Sequence, residues 1–183
     1  MMLQIHHRVS FDIDIFLPDP QLLGFLDPDR NDLRFETPPD AFLGDGTRFS
    51  RFVFKGLGEI DFIASPPLTA NPSFEETVAG RKVELETIPE IVAKKIHFRG
   101  KSIQTRDLFD LAAASVTHPD DVRDVLRVFP DDVRAALAAI SRLNPAYVNS
   151  AIQELQIMPE FLGSAAEALS VSRNFLRSVL SEG

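Results

Sequence analysis

Hydrophobic and polar residues alternate with period two in the first half of the chain, which is typical of strands. In residues 8–16 the apolar side chains fall on one face of an extended chain and the polar ones on the other. Further strands are predicted over residues 48–54, 59–64 and 81–87, and the first two of these are expected to form a hairpin. A short helix is predicted over residues 19–26.

The second half of the chain has helical patterns. Thr87 and Glu90 have capping-box spacing, with Pro89 in the first turn, and this helix should end near Gly100. Thr105 is predicted to cap the next helix. Further helices are predicted over residues 120–129, 130–143, 145–155 and about 159–180.

The fold class expected from this order is α+β. A small mixed or antiparallel sheet lobe, residues 1–87, is expected to precede an all-helical lobe, residues 88–183. The stretch 65–73 is the most loop-like interior segment.

Composition excludes several kinds of site. The 183 residues contain no Cys, so disulfides, thiolate metal sites and a cysteine nucleophile are excluded, and a cytoplasmic location is expected. No apolar run approaches the roughly 20 residues that span a bilayer, so no membrane partner is expected.

Charge is unevenly distributed along the chain. A net charge of -8 disfavours binding to nucleic acid by bulk charge. Residues 91–106, however, hold five basic residues and no Asp or Glu. This stretch is either an anion site or a solvated helix and loop.

Two aspartates on the first predicted strand are the leading candidates for chemistry. Asp12 and Asp14 lie two residues apart, so both point to one face, about 7 Å apart. Paired carboxylates suit Mg²⁺, which phosphoryl chemistry requires. Asp61 is a candidate third ligand from a neighbouring strand. The alternative for all three is an ordinary exposed strand face.

Basic and acidic residues follow on the first two long helices. Lys95 lies beside the apolar face of its helix, whereas Lys94 is expected to point outward. Lys95 therefore needs an anionic partner, a phosphate or a carboxylate, unless its ammonium simply reaches solvent. Asp107 and Asp110 share one side of the next helix, where an alternative role is to complement the helix dipole.

The order of these motifs resembles the AbiEii/AbiGii toxin family, a branch of the polymerase-beta-like nucleotidyltransferases. The resemblance covers roughly residues 6–115. It runs from Arg8-x-Ser10-x-Asp12-Ile-Asp14 through a strand with Asp61 to the stretch between Ile88 and Leu111. Several members of that family are toxins of type IV toxin–antitoxin or phage-defence pairs, and some transfer nucleotides from an NTP to tRNA ends.

The resemblance implies a role for each matched residue. Asp12, Asp14, Lys95 and Asp110 would be catalytic, and Asp12, Asp14 and Asp61 would bind Mg²⁺. Substrate contacts would come from Arg8, Ser10, Lys95, Arg99, Arg106 and Asp107. The implied partners are an NTP, a tRNA or protein acceptor, and a cognate antitoxin.

One departure from the family pattern concerns the segment before the aspartates. The family has a Gly-Gly or Gly-Ser at a helix start there, whose backbone N–H groups hold phosphates. Only eleven residues precede Asp12, and none is Gly. We therefore expect a sheet lobe that is N-terminally truncated relative to the family. The alternative function is a degenerate, non-catalytic nucleotidyltransferase fold that acts as a binding protein.

Overall fold

The computed structural model describes residues 1–181, which divide into two compact units. Residues 10–67 form the sheet unit. Residues 1–9, together with the chain from Leu68 onward, form the helical unit. The fold is α+β, as predicted: every described strand ends by Glu86, and helices follow. The boundaries between the two compact units fall after residues 9 and 67 and not at residue 87, because the last two strands of the chain belong to the helical unit.

The sheet unit is built on a four-stranded mixed sheet in the order β1-β4-β3-β2. The strands are β1 (Ile13–Leu17), β2 (Ala41–Gly44), β3 (Phe49–Phe54) and β4 (Gly58–Ala64). β3 and β4 form the predicted antiparallel hairpin, whereas β1 runs parallel to β4. The predicted short helix is a 3-10 helix, Pro20–Leu26, capped by the Asp19 side chain. The sequence reasoning did not identify β2.

The core of the sheet unit is aromatic. Phe52 is buried, and its ring lies 5.2 Å from Phe35, 5.0 Å from Phe42 and 6.0 Å from Phe62, centroid to centroid. Leu23 of the 3-10 helix is also buried. Such ring pairs contribute about 0.5–1.5 kcal/mol each beyond their buried area.

The predicted strand over residues 8–16 is wrong in its first half. Pairing with β4 begins only at Ile13, opposite Ile60. Arg8 instead forms an isolated bridge with Ile157 in the helical unit. The alternating pattern therefore spans the point where the chain passes from one unit to the other, which periodicity by itself does not reveal.

The helical unit contains a hairpin of β5 (Ser73–Val78) and β6 (Arg81–Glu86) and a set of helices. The helices are α1 (Met2–Ile5), α2 (Ile88–Arg99), α3 (Thr105–Thr117), α4 (Pro119–Arg127), α5 (Pro130–Ile140), α6 (Pro145–Gln153), α7 (Leu162–Ala166) and α8 (Ala168–Ser181). Short 3-10 helices cover Gly100–Ser102 and Pro159–Phe161. Within residues 1–181, no helix is both long and apolar enough to cross a membrane.

Local signals set most helix ends. The Thr87 side chain accepts a hydrogen bond from the Glu90 N–H, which confirms half of the predicted capping box, and α2 ends at Gly100 as expected. Gln104, rather than Thr105, occupies the N-cap of α3. The long helix predicted over residues 159–180 is broken, because Glu167 leaves helical geometry with φ −111° and ψ 12°.

Helix α3 lies at the centre of the helical core. Leu108, Phe109 and Ala112 are fully buried in a cluster that includes residues of every helix from α2 to α8. This burial fixes one side of α3 and thereby the position of its two aspartates.

Candidate active site

The sheet unit presents carboxylates on one face of two adjacent strands, β1 and β4. Asp14 on β1 is the register partner of Asp61 on β4, and parallel partners project to the same face. Asp61 is in turn the partner of Arg51 on β3. We call Asp12, Asp14, Glu59 and Asp61, together with Arg51, the acidic face.

Arg51 joins two of these carboxylates. Its Nε and Nη2 donate to the two carboxylate oxygens of Asp61, each at 2.6 Å, and Nη1 lies 2.8 Å from Glu59 Oε2. The hydrogen bond to Asp61, opposed by partial burial and helped by the charges of Asp61, Glu59 and Asp12, raises the pKa of Arg51. The fork geometry orders Asp61, whose side chain is largely buried. Sequence reasoning missed Arg51, although cross-strand alternation places it opposite Asp61.

Gly58 fixes the chain just before Asp12. Its φ of 136° is a backbone conformation that glycine adopts readily and other residues rarely adopt. A Cβ added at this position would lie 2.2 Å from the Phe11 carbonyl oxygen. The next residue, Glu59, donates its N–H to Asp12 Oδ1 at 3.3 Å. Gly58 thus permits the close approach that sets Asp12 beside β4. The Gly-Leu-Gly sequence marked a turn, but it did not reveal this contact.

The chemistry of the acidic face matches a hard cation. Asp12 and Asp14 are exposed, and carboxylate oxygens are the ligands that Mg²⁺ takes alongside substrate phosphates. Within residues 1–181, no group of three or more Asp, Glu or His side chains is arranged to hold a metal. Both carboxylate oxygens of Asp61 are engaged by Arg51, so the donor set fits a two-carboxylate site at Asp12 and Asp14 better than a three-carboxylate one.

The helical unit brings Lys95 to Asp107 and Asp110. Lys95 Nζ lies 2.5 Å from Asp107 Oδ1 and 2.8 Å from Asp110 Oδ2. Burial lowers the pKa of Lys95, but the charges of Asp110 and Asp107 outweigh it, and the net direction is upward. Lys95 therefore has carboxylate partners, which is one of the alternatives predicted from the sequence.

Asp110 has further partners that lie far away in the sequence. His7 Nε2 is 2.7 Å from Asp110 Oδ1, and Arg8 donates from Nε at 2.8 Å and from Nη2 at 3.1 Å. Burial raises the pKa of Asp110, yet Lys95, His7 and Arg8 together hold it well below the usual 3.8. We call His7, Arg8, Lys95, Asp107 and Asp110 the buried ion network. Sequence reasoning did not identify His7.

The expectation that Lys94 points outward is wrong. Its side chain is 5% exposed, it is hydrogen-bonded to Glu86, and it lies 3.3 Å from Glu90 Oε1. Other segments of the chain pack against helix α2 on more than one side. Lys94 and Lys95, which are consecutive in sequence, therefore both contact carboxylates.

The remaining predicted residues lie around these two groups. Arg99 Nη1 is 3.8 Å from Asp107 Oδ1, Arg106 is exposed at the start of α3, and Ser10 is half-buried in the sheet unit. The structure thus gathers Lys95, Arg8, Asp107 and Asp110 in one unit. In the other unit it places Asp14 and Asp61 on one face, with Asp12 hydrogen-bonded to the Glu59 N–H beside them. That all of them meet at one cavity stays a prediction.

Comparison with known proteins adds a resemblance of shape. No family model and no curated protein matches the sequence. Among solved structures, the chain is similar to the crystal structure of a provisionally assigned nucleotidyltransferase from H. pylori. The identity is 14%, the match covers 96% of this chain and 80% of that one, and the TM-score is 0.47. A likeness this loose carries no argument about activity, so function is argued from the residues.

Proposed function

We propose that this chain is a metal-dependent nucleotidyltransferase that moves a nucleotide from an NTP to a hydroxyl of an RNA, such as tRNA, or of a protein. The observation that carries the proposal is the acidic face. Its aspartates project from neighbouring strands to one side, with Asp12 anchored on the Glu59 amide and Asp14 in register with Asp61. The motif order resembles the AbiEii/AbiGii family, which supports the further proposal that the chain is a toxin with a cognate antitoxin.

The reaction sets clear demands on the side chains. A bond forms between the acceptor oxygen and the α-phosphorus, the bond to pyrophosphate breaks, and the hydroxyl proton must be accepted. Asp12 and Asp14 would hold Mg²⁺, which orients the triphosphate and offsets its charge. Asp61, held by Arg51, is the proposed supporting carboxylate, and the hydroxyl proton is assigned to the carboxylates of the acidic face as a group.

In the helical unit, the proposed roles concern binding of the NTP triphosphate. Lys95, with a side chain that is 20% exposed, and Arg99, at 40%, are assigned to the triphosphate. Asp107 and Asp110 position Lys95 through their short contacts with its ammonium. Arg8, Ser10 and Arg106 are assigned to substrate contacts on the strength of the family resemblance.

Transfer of label from NTPs to total tRNA in the presence of Mg²⁺ tests the proposal. Asp14→Asn should lower the rate by roughly 10²–10³-fold or more, because it removes a ligand of the charge-stabilising cation. Asp32→Asn is the matched control, since Asp32 is an exposed aspartate of the same unit. The absence of label on RNA and on added protein, with every NTP, would reject transfer.

A second function has one observation in its favour. Because Arg51 occupies both carboxylate oxygens of Asp61, a guanidinium stands where a third metal ligand would be expected. That arrangement favours a non-catalytic binding protein that kept the nucleotidyltransferase fold.

Titration with Mn²⁺ alone, followed by electron paramagnetic resonance, separates the two functions. The enzyme proposal expects the wild type to bind Mn²⁺ and Asp14→Asn to bind it more weakly. Arg51→Gln should bind Mn²⁺ up to about fivefold more tightly, because a competing positive charge is removed. If neither the wild type nor Arg51→Gln binds Mn²⁺, the binding-protein function is favoured.

A further inference from the structure

The helical unit contains a large open cleft that the proposed chemistry does not use. It lies between the β5–β6 hairpin and helix α4, and Leu3 of α1 and Pro89 of α2 also line it. Its volume is about 1140 Å³. Small-molecule pockets are typically about 300–1,000 Å³, so the cleft is large enough for a segment of polypeptide.

One wall of the cleft is a face of the hairpin that carries apolar side chains together with Glu76. Ala79 and Gly80 both have positive φ, 49° and 77°, which is the geometry of a two-residue type I′ turn. The turn closes the pair Val78 and Arg81, so alternate residues from Val78 share one face. Phe74, Val78 and Leu85 of that face line the cleft, and Phe74 is 39% exposed.

The cleft is acidic as well as apolar. Glu76 on the hairpin and Asp121 and Asp124 on α4 line it, and among residues 1–181 its lining includes no Lys or Arg. Asp124 also lies 3.1 Å from Arg127 in a solvent-exposed pair of the helix, an interaction worth little. A complementary occupant therefore carries positive charge together with apolar side chains.

The edge of β5 explains how such an occupant would attach. Hydrogen-bonded pairs alternate along an antiparallel hairpin, and the pair at the turn is Val78 and Arg81, so the Thr77 N–H points away from β6. This N–H donates to Glu76 Oε1 at 2.8 Å. Thr77 also lines the cleft. Among the described residues, β5 pairs with no strand other than β6, so its outer edge has the pattern that accepts an added strand.

We propose that the cleft is a docking site for an extended segment of another protein, in which Lys or Arg and apolar side chains face the cleft. The segment pairs with the outer edge of β5, where one of its carbonyl oxygens replaces the Glu76 carboxylate as the acceptor of the Thr77 N–H. Its apolar side chains pack on Phe74 and Val78, and its basic side chains lie among Glu76, Asp121 and Asp124. This inference uses neither the acidic face nor the buried ion network, so it is independent of the proposed function.

Fluorescence anisotropy of a labelled synthetic peptide at physiological salt tests the chemistry. The probe has valine and lysine at alternating cleft-facing positions and serine or threonine between them. We expect it to bind, and we expect peptides with glutamate for lysine, or serine for valine, not to bind. Equal binding of the lysine–serine peptide would overturn the proposal, because the apolar wall would then play no part.

Neutralising the cleft tests the location of binding. The variant Glu76→Gln/Asp121→Asn/Asp124→Asn should bind the probe about tenfold more weakly, since three surface charge interactions are lost. The matched control is Glu154→Gln/Glu160→Gln/Glu167→Gln, which changes net charge equally at exposed positions of the same unit. An equal loss in both variants would show attraction by bulk charge and contradict the proposal.

Backbone pairing is tested separately and requires no variant of the protein. The same peptide, N-methylated at the positions that would pair with β5, keeps its side chains and loses its N–H donors. We expect its binding to be lost, together with the amide chemical-shift change at Thr77 that the unmodified peptide causes. Retained binding would refute strand addition.

Discussion

The acidic face and the buried ion network use the same residue types in opposite ways. In the sheet unit, Asp12 and Asp14 are exposed on and beside an edge strand. In the helical unit, Asp110 is 2% exposed and is contacted by His7, Arg8 and Lys95. Exposed carboxylates remain solvated and can exchange water for a cation, whereas buried ones are committed to the partners that offset their desolvation.

The comparison teaches that an Asp-rich motif does not by itself indicate a ligand site. Asp107 and Asp110 lie in the stretch between Ile88 and Leu111 on which the family resemblance partly rests, yet the partners of both carboxylates lie within the same unit. The main effect of these two carboxylates is to stabilise the folded helical unit and to orient the Lys95 side chain. Asp12 and Asp14 depend less on the fold, so their residue types are better explained by chemistry.

The largest expected effect is that of Asp110→Asn. The substitution keeps the shape of the side chain but leaves Lys95 and Arg8 without their shared negative charge. Breaking a buried pair from one side costs about 3–5 kcal/mol in free energy of unfolding. Urea denaturation should show this, with the exposed pair residue Asp131→Asn as control. A loss below about 1 kcal/mol would contradict the contrast between the two clusters.

Acid should weaken the same network. The folded pKa of Asp110 is depressed, so its contribution is present above the ordinary value of 3.8 and is lost as pH falls through the lower folded value. The pKa of Lys95 is raised above 10.5, so its contribution is lost only as pH rises beyond that value. The difference in Tm between wild type and Asp110→Asn should therefore shrink below about pH 4. A difference that is constant down to about pH 2 would contradict this reading.

Gly58→Ala should have an intermediate effect, confined to the sheet unit. The added methyl group would meet the Phe11 carbonyl, and φ at this position is unfavourable for alanine. We expect a loss of about 1–3 kcal/mol, and weaker Mn²⁺ binding because Asp12 is displaced. Gly56→Ala is the control, because its φ is also positive but its added Cβ would meet no atom within 4 Å.

The smallest effect on stability is expected for Asp14→Asn. An exposed side chain on an edge strand should change the free energy of unfolding by no more than about 0.5 kcal/mol. Transfer activity and Mn²⁺ affinity should nevertheless fall. If Asp14→Asn were destabilised as strongly as Asp110→Asn, the acidic face would be structural and the comparison would fail.

Prediction from sequence worked where the signal is local. The Thr87 cap, the prolines that open α4, α5 and α6, and the β3–β4 hairpin depend on residues a few positions apart. It failed for two strands that pair with the next strand along the chain, and where a helix breaks without glycine or proline. Strands β2 and β5 were missed, and the segment from residue 159 onward is three helical pieces rather than one.

The candidate site divides in the same way. The side-by-side placement of Asp12 and Asp14 follows from alternation in an extended chain. The partners of Asp110 do not follow, because His7 and Arg8 lie 103 and 102 residues away along the chain. Arg51 lay within reach of sequence reasoning, since it belongs to the predicted hairpin, and the observed register of that hairpin places it opposite Asp61.

The sequence alone determined the α+β class, the helical second half and the residue types available for cation and phosphate chemistry, because propensity, capping and periodicity act over a few residues. Tertiary structure decided which carboxylates stay solvated and which are buried against cations. That outcome depends on contacts between segments far apart in the chain, and on the cost of removing charge from water, which no local pattern encodes.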